Sequence, residues 1–134
     1  MGIALSTTLR RSFEDAVKRT REALAHKGFG VLTEIDMKAT LKAKLDVDME
    51  DFLILGACNP KFAHQAVDVS RQIGVLLPCN VVVRKDPDDP DAVIVDAMDP
   101  RLMIDVSKEP GLKPIALTVT ELLQEALEDV VKEA

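Results

Sequence analysis

Residues 52–60 read Phe-Leu-Ile-Leu-Gly-Ala-Cys-Asn-Pro, and this string narrows the possible folds more than any other in the chain. Phe52 to Leu55 is apolar at every position, so both faces of an extended run need cover, as in an interior strand of a sheet. Asn59 then offers a helix cap, and Pro60 suits a first helical position, where its missing N–H costs nothing. A strand therefore ends and a helix begins around Cys58, where the backbone N–H groups of the new helix point outward. The second of the two cysteines sits in a related string, Leu76-Leu77-Pro78-Cys79-Asn80-Val81, which passes from a turn into a strand.

The other elements follow from periodicity. Residues 2–9 read as a first strand. Ser12 caps a helix, with Glu14 and Asp15 in its positive first turn, and Phe13, Ala16, Val17, Thr20, Ala23 and Leu24 share one face. Gly28 stops it. Phe29 to Met37 alternates like a strand except at Thr33, and Ala39 to Leu45 makes a short helix. Pro60 to Gln72 forms a second long helix stopping at Gly74. Cys79–Val83 and Ala92–Ala97 are strands, joined by a hairpin loop over Lys85–Asp91 because prolines do not join ladders and aspartates favour turns. Asp99-Pro100 repeats the cap-then-proline device, with Met98 and Met103 spaced for a hydrophobic staple. Ile115, Val119, Leu122, Leu123, Ala126, Leu127 and Val130 give the strongest helical stripe. No break in composition divides the chain, so one domain is expected over residues 1–134.

A chain of 134 residues, 47% hydrophobic, can bury roughly two thirds of its unfolded surface without staples. Net charge is −6 and Trp and Tyr are absent. Phe13, Phe29, Phe52 and Phe62 fall at core-like positions, so nucleic acid is excluded as a partner. Charge is uneven: residues 1–45 carry nine Lys/Arg against five Asp/Glu, and residues 46–134 eight against eighteen. Internal pairing, a complementary dimer contact or a solvated surface would each accommodate that split. No apolar run reaches the ~20 residues that cross a bilayer, so no membrane partner is expected. Two cysteines do not make a disulfide framework, and a cytoplasmic location is expected.

Candidate chemistry centres on the thiols. A helix N-terminus favours thiolate, which would suit redox work or nucleophilic attack by Cys58. Cys58 is also placed to pack on Ala63 as a staple, or simply to be buried. A metal is not expected: there is no C-x-x-C pair, and His26 and His64 project to polar helix faces. The aspartates at 86, 88, 89 and 91 imitate a calcium loop, but Asp91 stands where glycine is required and Ala97 where glutamate is. They read as a solvated hairpin tip. No nucleophile elbow, phosphate loop or dinucleotide fingerprint appears, so no cofactor is expected.

The runs Gly28-Phe29-Gly30-Val31-Leu32-Thr33-Glu34-Ile35-Asp36, Leu41-Lys42, Ile54-Leu55-Gly56-Ala57-Cys58-Asn59-Pro60, Leu76-Leu77-Pro78-Cys79-Asn80-Val81 and Ala97-Met98-Asp99-Pro100 together resemble the family known as domain of unknown function 302. The resemblance implies an α+β fold, a two-layer α/β sandwich whose mostly antiparallel sheet of about five strands is backed by two to three helices. It further implies a common dimer, no established activity, and hallmark positions at Gly56, Cys58, Asn59, Pro60, Pro78, Cys79, Asn80, Asp99 and Pro100. The expected function is a small cytoplasmic binding or interaction domain, homodimeric and without catalysis of its own. Its ligand is unnamed, and its site is formed by Gly56, Cys58, Asn59, Pro78, Cys79 and Asn80. The alternative is thiol-based redox or transfer chemistry through Cys58 and Cys79. Both readings require the two sulfur-bearing corners to meet at one rim of the sheet.

Overall fold

The computed structural model describes residues 2–132, which form five strands and five α-helices with two short 3-10 turns. In chain order the elements are β1 (Ala4–Leu9), α1 (Phe13–His26), β2 (Gly30–Asp36), α2 (Met37–Leu45), β3 (Phe52–Cys58), α3 (Pro60–Val69), β4 (Cys79–Asp86), β5 (Asp89–Met98), α4 (Leu102–Ser107) and α5 (Lys113–Val131). The sheet runs β1-β5-β4-β3-β2, antiparallel throughout. β3 is thus an interior strand, as its two-sided hydrophobicity requires.

Strand alternation divides the sheet into two faces. Leu53, Leu55 and Ala57 of β3, Val81 and Val83 of β4, and Val93, Val95 and Ala97 of β5 are all buried. They form one core with Ala16, Ala23 and Leu24 of α1 and Val119, Leu123, Ala126 and Val130 of α5. The opposite face carries Phe52, Ile54, Val82, Arg84, Ile94 and Asp96, each half-buried. At its centre the Arg84 guanidinium donates to Asp96 across 2.9 Å. The result is the α+β two-layer sandwich, with α1, α5 and α3 as the backing helices.

Part of the charge split is met by pairing inside the molecule. Arg10 meets Asp89 at 2.9 Å, Lys27 meets Glu125 at 3.1 Å, and Lys42 meets Asp46 and Asp48. Arg19 of α1 donates to the carbonyls of Val130 and Lys132, closing the C-terminal end of α5. These pairs lie at the surface and each contributes little to stability.

Several elements differ from sequence expectation for identifiable reasons. Thr33 breaks the β2 pattern because the register slips between Val31 and Thr33, leaving Leu32 as the extra residue of a bulge. The second long helix ends at Val69 rather than near Gln72. Ser70 takes an extended conformation, and Arg71–Leu76 continues as a 3-10 turn that contains Gly74. The seven-residue loop contracts to a two-residue turn, Pro87-Asp88, with Asp86 opposite Asp89. Pro90 enters β5 at a register irregularity, where no ladder hydrogen bond is asked of it. The Asp86 and Asp89 carboxylates accept from the N–H groups of Asp88 and Asp91, so they serve turn geometry.

Candidate functional site

The two sulfur-bearing corners come together where β3 ends and β4 begins. Ala57 pairs with Cys79, Gly56 with Asn80, and Cys58 with Gly30 on the other side. Register therefore puts Cys79 on the helix-covered face beside Ala57, one position diagonal to Cys58. Both are free thiols, Cys79 buried and Cys58 half-buried. The turn into β4 passes through the Leu77–Pro78 bond, which is cis.

Gly56 is the residue that allows this corner to close. A Cβ built there would lie 2.0 Å from the Thr33 hydroxyl oxygen and 2.8 Å from Cγ of Pro78. The proline ring and the Thr33 side chain thus occupy the volume that any other residue would need. Gly28 has a related role. Its φ of +85° ends α1, and its missing Cβ leaves room for the Asn59 amide, 3.2 Å from where that Cβ would stand.

Asn59 occupies the N-cap position of α3, but its side chain makes no cap. The amide nitrogen instead donates to the Lys27 carbonyl at 3.2 Å, tying the end of α1 to the start of α3. The helix N-terminus is therefore left without a side-chain acceptor. Asp99 keeps a capping role one turn earlier than the helix proper: its carboxylate accepts from the Arg101 N–H at 3.0 Å and from the Arg101 guanidinium at 2.6–3.1 Å. Those side-chain hydrogen bonds from Arg101 hold the buried Asp99 carboxyl below its usual range.

Behind the corner lies a cavity of about 30 Å³, above the ~10–15 Å³ that a single water requires. Cys58 and Cys79 both line it, with Asn59 at its edge. The remaining wall is apolar, and includes Phe29, Phe62, Met103 and the alanines at 57, 63, 66 and 116. The alanines make the hollow, since each leaves a methyl where a larger side chain would fill the space. Of the six candidate residues, Cys58, Asn59 and Cys79 reach the cavity itself. Gly56 and Pro78 shape the strand corner beside it, and Asn80 points to the opposite face, exposed.

The electrostatics of the thiols run opposite to a helix-dipole effect acting alone. Burial pushes the Cys79 thiol from the usual 9.0 up to about 11, and the neighbouring Cys58 adds to the rise. Burial also raises Cys58. The cause is desolvation by the apolar wall, which disfavours the charged thiolate. His26 and His64 are exposed, and His64 faces Asp68 at 3.6 Å, away from the sulfurs.

The contributions of Met103, Phe29 and Ala116 to this wall were not visible beforehand. Met103 reads in sequence only as a staple for Met98, and Ala116 is not among the residues of the helical stripe that the sequence displays. The one available signal was the choice of alanine at 57, 63 and 66, small residues in otherwise apolar positions.

A family model described as "Domain of unknown function DUF302" matches residues 5–130. The crystal structure of an uncharacterized conserved protein DUF302 from Bacillus stearothermophilus matches with a TM-score of 0.88, covering 97% of this chain and 99% of that chain. Identity between the two is 24%, so the likeness shows the fold. No curated protein matches the chain significantly.

Proposed function

The chain belongs to the DUF302 family, whose function is uncharacterised, and on that premise we propose that it is a small binding domain whose site is the dithiol cavity. The observation that carries this reading is the convergence of Cys58, Asn59 and Cys79, from two separate strand corners, on one apolar hollow. Gly56 and Pro78 shape that corner, and Asn80 marks its outer side. Burial raises both thiols, which counts against spontaneous nucleophilic attack by either. A single cytoplasmic domain over residues 1–134 is part of the same reading. No described helix is long and apolar enough to cross a membrane.

Xenon, an apolar atom small enough for such a hollow, tests the site. The Ala57, Ala66 and Ala116 methyl resonances should shift under xenon pressure, and Ala116→Leu should abolish the response by filling the space. Xenon shifts scattered over the surface, or none at these methyls, would remove the cavity as the site.

The same reading takes the domain as a homodimer through the outer sheet face. Support comes from its half-buried row of Phe52, Ile54, Val82 and Ile94, with Arg84 and Asp96 side by side at the centre. A surface bearing equal and opposite charges matches its own copy under a two-fold axis. Sedimentation at micromolar concentration should give a dimer and Phe52→Lys a monomer; a monomeric parent protein ends this part of the reading.

A further inference from the structure

We propose that the cavity is a copper(I) site in which the Cys58 and Cys79 sulfurs bind the ion and the Met103 thioether completes its coordination. The inference rests on the cavity being the binding site and names the chemistry it accepts. Cys58, Cys79 and Met103 all line this one hollow, and Cys79 and Met103 belong to the same buried cluster. Three sulfur donors in an apolar wall select soft ions.

Coordination number then separates the candidates. Structural zinc requires four ligands, and among the described residues no group of three or more His, Cys, Asp or Glu is placed to hold a metal ion. Copper(I) is content with two thiolates and a thioether. Hard ions are excluded because carboxylates are missing from the wall.

Charge also fits. Two thiols and Cu⁺ give a bis-thiolate copper(I) complex of charge −1 and two protons, which leave to solvent. The ion stays Cu(I), so no oxidant or reductant is involved. A buried anion needs compensation, and α3 supplies it. Cys58 immediately precedes the Asn59 N-cap, and the Asn59 side chain is engaged with Lys27 instead of capping the helix. The first turn of this ten-residue helix contributes Phe62 and Ala63 to the same wall, so its positive end lies beside the complex.

The test is anaerobic titration of the reduced full-length protein with acetonitrile-bound Cu(I) in competition with bicinchoninate. One equivalent should be withdrawn from the chelator, and X-ray absorption of the loaded protein should show a shell of sulfur alone. Disturbing groups that merely support a ligand costs about 10–100-fold in metal affinity, so Cys58→Ser and Cys79→Ser should each weaken Cu(I) by more than about 100-fold and Met103→Leu by about 10-fold. His64→Ala, on the exposed side of α3, should leave affinity unchanged. Circular dichroism verifies that each variant is folded, and the absorption measurement on the parent protein stands independently of them. Nitrogen or oxygen in the copper shell, or full affinity in both cysteine variants, would overturn the proposal. If xenon enters while Cu(I) stays with the chelator, copper falls and the binding reading survives; if neither enters, both fall.

Discussion

At Cys58-Asn59 the thiol is half-buried and the asparagine amide reaches the Lys27 carbonyl at 3.2 Å, whereas at Cys79-Asn80 the thiol is buried and the asparagine faces solvent. The two dipeptides are identical in letters and sit on adjacent strands. Their fates differ because one closes a strand and the other opens one. At the start of β4, strict alternation sends Cys79 into the core and Asn80 to the outer face. At the end of β3, the chain is already turning into α3, and Asn59 is free to reach sideways to another helix. A motif's chemistry therefore depends on which end of a strand it occupies.

The largest test of this comparison lies at the residue separating the two corners. Gly56→Ala would force a Cβ against Thr33 and Pro78, and should cost about 3 kcal/mol in urea unfolding. Thr33→Ala in that background should recover part of the loss by removing the hydroxyl nearest the new methyl. If Gly56→Ala is neutral, the corner is looser than its contacts indicate.

Next in size is the pH dependence of the buried thiol. Because folded Cys79 keeps its proton up to about pH 11 against the usual 9.0, the folded state binds more protons in that window. Its contribution to stability is complete below pH 9 and declines as pH rises towards 11, by about 3 kcal/mol at most. Cys79→Ala should be less stable at neutral pH yet show a visibly shallower decline. Equal slopes in the two proteins would contradict the difference drawn between the thiols.

The asparagines give the smaller contrast. Asn59→Ala removes the bond to Lys27 and leaves that carbonyl without its partner, so unfolding should show a loss of about 1–2 kcal/mol. Asn80→Ala, on the exposed side of β4, should stay within about 0.5 kcal/mol of the parent. Comparable losses would mean that the two corners are equivalent after all.

Much of the architecture was legible from local signals. Ser12 accepts from the Asp15 N–H at 3.1 Å as its position promised, Gly28 ends α1 with positive φ, and the α5 stripe buries Val119, Leu123, Ala126 and Val130. Such features depend on neighbours within a few residues, which sequence displays directly. The site was legible only as a pair of addresses. Its wall draws on α1's exit, β3, β4, α3, the start of α4 and α5, so residues such as Phe29 and Ala116 become neighbours only through packing. Asn59 shows the same limit, since its local role as a cap lost to an acceptor 32 residues away.

What the amino-acid order settled alone was which elements form, in what order, and which face of each is apolar, because backbone sterics and hydrophobic period act at short range. What the tertiary structure decided was the pairing of Ala57 with Cys79, the fit of Pro78 and Thr33 over Gly56, and the direction in which each thiol's acidity moves. Those depend on strand register and on desolvation by distant side chains, quantities that arise only once the sheet and its helices have closed around them.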